Sequence, residues 1–117
     1  MATFLNLTPH AIALNDGRVF PASGFVARVS SSFEETAEID GVPIYRSVTG
    51  EITCTGEPNG LPPVTEGIFF IVSAMVLDAN NRLSVGRRYD LVAPSTGHAS
   101  TVRNDKGHIV SVGGFVV

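Results

Sequence analysis

Residues Glu38–Tyr45 read EIDGVPIY. An Asp-Gly pair between β-branched and aromatic residues marks a hairpin. A two-residue type I′ turn needs positive φ at both central positions, which Gly takes freely and Asp tolerates. The signal recurs at Asp16-Gly17 in ALNDGRVF. It recurs once more, with one extra residue, at Asp105-Lys106-Gly107 in VRNDKGHIVSV, where a bulged hairpin is predicted. Turn signals of this kind predict a mainly β chain, a small antiparallel barrel or sandwich of short strands.

Working outward, apolar alternation marks the strands. In FVARV, Phe25, Ala27 and Val29 point one way and Val26 and Arg28 the other. HIVSV (His108–Val112) is another strand, and YDLVA (Tyr89–Ala93) a third, stopped by Pro94. EITCT (Glu51–Thr55) is predicted to follow a turn at Thr49-Gly50. GEPNGLPPVTEG (Gly56–Gly67) carries three prolines and three glycines and reads as the one long loop, a place where function often sits. IFFIVSAMVLDANN starts as a β-branched and aromatic run and continues with better helix formers. The reading is a strand to about Val72, then one short helix over about Ser73–Ala79, with Ser73 as N-cap and Asn80-Asn81 as the stop. One long strand ending in an Asn-Asn turn is the alternative.

A length of 117 residues predicts a single domain, residues 1–117, with a core of its own. A net charge of −3 argues against a general nucleic-acid binder, which needs a basic surface to displace counterions. Cys54 is the only cysteine, so no internal disulfide and no cysteine-based metal site is expected, and a reducing compartment fits. The first residues carry no basic n-region, so no secretion signal is read. The longest apolar run, Ile68–Leu77, is about half of the roughly 20 residues a membrane helix needs, so no membrane partner is expected.

Three groups of residues are candidates for binding, each with a plainer alternative. In NLTPH, Asn6, Thr8 and His10 bring donors and acceptors together. The same residues fit a strand corner, because proline cannot donate to a ladder and holds its predecessor extended. In NNRLSVGRRYD, Arg82, Arg87 and Arg88 crowd around Gly86. Their forks suit phosphate or carboxylate; alternatively they pair with Asp78 or Asp90. In APSTGHASTVRND, Ser95, Thr96 and Gly97, with Ser100, Thr101, His98 and Arg103 nearby, form either an anion-binding nest or a polar loop. The strand Tyr89–Ala93 separates the arginines from the hydroxyls, and the two groups meet only if the arginine turn folds back.

No catalytic residue is assigned, and the chain is read as non-enzymatic. His10, His98 and His108 lack metal-ligand spacing, so no metal and no cofactor is expected. Ser73 has no glycine elbow around it. Cys54 lies in a predicted strand and reads as an inert thiol. Glu34, Glu35 and Glu38 form an exposed acidic patch rather than an acid/base pair.

The series LNLTPHAI, PASGFVARV, DGVPIYRSVTGEI, GLPPVTEGIFFIVSAMV, RRYDLVAPSTG and VRNDKGHIVSV resembles a family of small uncharacterised proteins encoded by phages and prophages, marked by NLTPH, IVSAxV and VAPxTG motifs. Ser95 stands where the family pattern has glycine. The resemblance implies a phage-type binding protein. One form is an anti-defence protein that sequesters a phosphorylated or nucleotide immune signal in the host cytoplasm, with Tyr89 or Tyr45 as its stacking surface. The other is a virion-associated structural protein, or an inhibitor that binds a host protein. A homo-oligomer is expected, because the tail VGGFVV would place an apolar end in water unless a partner, or the chain's own sheet, takes it.

Overall fold

A computed structural model describes residues 2–58 and 60–117; Asn59 of the long loop lies outside the described residues. The chain runs through strands β1 (Thr3–Asn6), β2 (Ile12–Ala13), β3 (Val19–Phe20), β4 (Ala27–Ile39), β5 (Val42–Cys54) and β6 (Ile68–Ile71). Helix α1 (Ala74–Asn81) follows, then β7 (Leu91–Pro94), β8 (Val102–Arg103), β9 (Ile109–Ser111) and β10 (Phe115–Val116). The fold is mainly β with one short helix, as the turn signals predict.

All three Asp-Gly-type turns close antiparallel hairpins: β2–β3, β4–β5 and β8–β9. Asp40 (φ 50°) and Gly41 (φ 78°) both occupy the left-handed region that a type I′ turn requires. The Thr49-Gly50 turn is not formed. β5 continues through it to Cys54, and the irregularity is a bulge where Val29 pairs Ile52 but Ser31 pairs Thr49. A Cβ at position 50 would meet the Ser30 hydroxyl, which would have to turn aside.

The sheets stack in a sandwich-like way and do not close into a barrel. The central sheet has the order β1-β6-β7-β10 and is not wholly antiparallel. β6 pairs parallel with both β1 and β7, and only β10 runs against its neighbour. Parallel pairing needs a long crossover, and α1 supplies it between β6 and β7. Ser73 caps that helix, its Oγ accepting from the Val76 amide at 3.3 Å. The helix runs to Asn81, two residues past the predicted end. Asn80 does not stop it, because its side chain is buried and bonded elsewhere.

The core lies between the central sheet, α1 and the roots of β4 and β5. Leu7, Phe70, Val72, Val76, Leu77, Leu91 and Ala93 meet Ala27 and Cys54 there. On the other face, Phe4 gathers Phe20, Phe69 and Phe115, with ring centroids 5.2–5.7 Å apart. The apolar tail therefore finds a place in the chain's own sheet, as β10 beside β7.

Beyond that core the β4–β5 ribbon continues alone. It is a two-stranded sheet of 13 residues per strand, and past its root it is exposed almost throughout. The radius of gyration is 16.7 Å, against about 13 Å for a compact chain of this length. The molecule spans 54 × 40 × 23 Å. Among the described residues, no helix is long and apolar enough to cross a membrane.

Candidate functional site

The arginine turn links α1 to β7, and its three guanidiniums have different surroundings. Arg88 is mostly buried and grips Asp90 with two prongs: Nε donates to Oδ1 at 2.9 Å and Nη2 to Oδ2 at 2.7 Å. Nη2 also donates to the Pro62 carbonyl at 2.8 Å, and the guanidinium lies over the Phe70 ring. The Arg88 backbone is clamped by Asn80, which accepts from its N–H and donates to its C=O. Arg82 pairs with Asp78 at 2.9 Å across one helical turn, both in water. Arg87 makes no ion pair among the described residues and lies 5.3 Å from the centre of the Tyr89 ring. Two of the three forks are therefore occupied by the chain's own carboxylates. Arg88 in particular fastens the long loop and α1 to the start of β7.

The hydroxyl-rich corner sits at the other end of β7. Ser95 is buried, its Oγ donating to the Gly114 carbonyl at 2.8 Å. Thr101 Oγ1 donates to the carbonyls of Ser95 and Thr96. These hydroxyls tie the corner to itself and to the β10 approach. Thr96 and Gly97 are exposed. Arg103 donates to the Gly107 carbonyl within its own hairpin. His98 Nδ1 accepts from the Ser100 amide at 3.1 Å and lies 2.8 Å from its hydroxyl. No carboxylate orients the ring, among the described residues, so the pair staples an exposed loop. Asp90 and Ser95 are separated by an extended stretch of about 16 Å at the usual rise per strand residue. The arginines and the hydroxyls flank opposite ends of β7 and share no hydrogen bond among the described residues.

NLTPH forms a strand corner. Asn6 is 2% exposed. Its amide donates to the carbonyls of His10 (2.8 Å) and Phe20 (3.0 Å), while its Oδ1 accepts from the Thr8 amide (2.9 Å) and hydroxyl (2.6 Å). Those four bonds exhaust the Asn6 side chain, and Thr8 is spent closing the same turn. His10 contributes its carbonyl, and the residue is exposed.

A cleft of about 890 Å³ opens beside the arginine turn, between Thr49–Thr53 at the root of β5, Glu57, Pro58, Gly60 and Leu61 of the long loop, and the end of α1. Arg82 and Arg88 line it, but so do Glu51 and Glu57, so its charges balance. Cys54 lies nearby, buried; burial and, secondarily, Glu57 push its thiol above the usual 9.0. An un-ionised buried thiol is a poor nucleophile. Among the described residues, no three of His, Cys, Asp and Glu gather closely enough to hold a metal ion.

The ribbon is the feature that residue-by-residue reading missed. Its register sorts the side chains into two faces, both wet. On the first, Phe33 and Tyr45 meet edge to face with ring centroids 6.5 Å apart, and Glu35 stands opposite Tyr45. A bulge between Glu35 and Ala37 then shifts the alternation. Glu38, opposite Pro43, returns to the first face, while Ala37, Ile39, Val42 and Ile44 share the second near the tip. Glu34 and Arg46 pair at 3.1 Å on that second face. Phe33 is 76% exposed, Ile39 60%, and Val42 and Tyr45 58% each. Among the earlier candidates only Tyr45 lies here. The available signal was a hairpin whose strands both carry apolar residues without one-sided alternation.

In comparisons with protein-family models, with curated proteins and with solved structures, nothing matches this chain.

Proposed function

We propose that this chain is a non-enzymatic, phage-type binding protein whose partner is another protein, held by the β4–β5 ribbon. The observation that carries this is a two-stranded ribbon of 13-residue strands with apolar side chains in water on both faces. An isolated hairpin is marginally stable in water, and a long exposed apolar edge is a ready template for pairing. A chain that keeps such an element gains from it when a partner covers it. The motif resemblance to phage and prophage proteins agrees with this role, either in the virion or against a host factor in the cytoplasm.

A photo-crosslinking residue at position 33 or 45, in cells producing the protein with its phage, tests the reading. Val64, exposed on the long loop, is the control position. Discrete protein adducts at 33 and 45 but not at 64 are expected; equal or absent labelling at all three sites would overturn it.

A second reading, sequestration of a phosphorylated small molecule or nucleotide, has one observation in its favour: Arg82 and Arg88 both line the 890 Å³ cleft. It requires a ligand phosphate to compete with Asp78 and Asp90 for those forks. A rise in melting temperature with a nucleotide, lost in Arg82→Ala, would favour it; no shift across a nucleotide panel would remove it.

A further inference from the structure

We infer that the ribbon's partner is a second copy of this chain, joined head to tail: the Phe33–Tyr45 face of one copy docks on the Val85–Tyr89 segment of the next. The inference rests on the protein-binding reading above and names its partner.

Charge is segregated along the chain. Residues 31–49 hold Glu34, Glu35, Glu38 and Asp40 against Arg46, a net −3, while the remaining residues hold seven acids and seven bases. The ribbon therefore carries the whole net charge. On its aromatic face, Glu35 and Glu38 have no ion-pair partner among the described residues, since Arg46 is taken by Glu34 on the other face. The arginine turn presents the converse surface. Arg82 and Arg88 are held by Asp78 and Asp90, while Arg87 has no carboxylate partner among the described residues and lies over Tyr89. Val85 is 86% exposed and Tyr89 81%. Tyr89 and Phe33 are the two most exposed aromatic side chains among the described residues.

One surface thus offers aromatic rings flanked by unpaired carboxylates. The other offers an aromatic ring beside a guanidinium that has no carboxylate partner among the described residues, with an exposed valine in the same turn. They match in apolar character and oppose in charge, which fixes register and steers encounter. Within one chain both stay in water, so the match is made between copies. Ribbon-to-ribbon pairing would set −3 against −3 and is disfavoured. Two different patches make a heterologous contact, which propagates into a ring or a filament.

Sedimentation velocity of the full chain tests this. At low salt (~50 mM, where the Debye length exceeds 10 Å) the protein is expected to sediment as species larger than a monomer, which shrink as salt rises. Arg87→Glu alone, and Glu35→Lys with Glu38→Lys, each weaken association by about tenfold or more. Combining all three reversals in one chain restores it, which a folding defect could not do. Association that ignores the reversals, or a wild-type monomer at every concentration, would overturn the inference. If the monomeric chain still gives adducts from position 33 with a different protein, the partner named here is wrong and the protein-binding reading stands. If it gives none, both fall.

Discussion

Arg88 and Asp90 form a two-pronged ion pair whose side chains keep only 18% and 11% of their exposure. Removing one member leaves a mostly buried charge without its partner, which costs about 3–5 kcal/mol. The predicted result is that Arg88→Ala and Asp90→Ala each lower the melting temperature by roughly 10 °C or more. Arg87→Ala removes only an exposed cation–π contact, worth about 1 kcal/mol or less. Thermal melts of the three variants side by side check the contrast. Equal losses at positions 87 and 88 would contradict it.

Asn6 accepts two hydrogen bonds and donates two from a site with 2% exposure. Asn6→Ala is predicted to destabilise by about 2–4 kcal/mol, because buried partners lose their bonds. Asn6→Asp keeps the acceptor for Thr8 but loses both donors and buries a charge, so it is expected to be no milder. Chemical denaturation reads both. His10→Ala is predicted to be near neutral, because only the main chain of His10 is used in the corner.

How much of this was legible in the sequence differs by element. The three hairpins were, because Asp-Gly leaves few other conformations for its neighbours. The helix start was, through Ser73. The parallel centre was not. Phe4 pairs with Phe69, far along the chain, and the runs IFFI and LVA signal only burial on both faces. The arginine turn was half legible. Pairing of the arginines with Asp78 or Asp90 was one of two readings of the sequence, and it is the one found for Arg82 and Arg88; that Arg87 stays unpaired among the described residues depends on the path of the turn, which spacing does not give. The ribbon's two wet faces were hidden by bulges near Ser30 and Thr36, since a single inserted residue reverses the facing of all that follows.

The β2–β3 turn carries a small acid dependence. The Arg18 guanidinium, and then the Arg18 amide, hold the Asp16 carboxyl below its usual 3.8. A depressed carboxyl stabilises the fold above its unfolded value, and that contribution is lost as pH falls through the folded value. The predicted window lies below pH 3.8, with no dependence from this pair near neutrality. A carboxyl NMR titration is expected to place the Asp16 midpoint below 3.8, and Arg18→Ala to return it toward that value.

Cys54 is predicted to react slowly with a thiol reagent in the native chain and fast after denaturation. Its thiol is pushed above 9.0 by burial, so the unfolded thiol ionises first. Stability is therefore independent of this group below pH 9 and falls as pH rises beyond it. Cys54→Ala is expected to flatten that alkaline limb of a pH–stability curve.

The most direct measurement replaces residues 33–47 with Asn-Gly, a type I′ turn between the paired Ser32 and Val48. The core does not include this stretch. The shortened protein is predicted to melt cooperatively within a few degrees of the full chain, on the order of 1 kcal/mol, and to lose every protein contact that the full chain makes. A shortened protein that binds as before, or that no longer folds, would contradict the claim that the ribbon is built for a partner rather than for the fold.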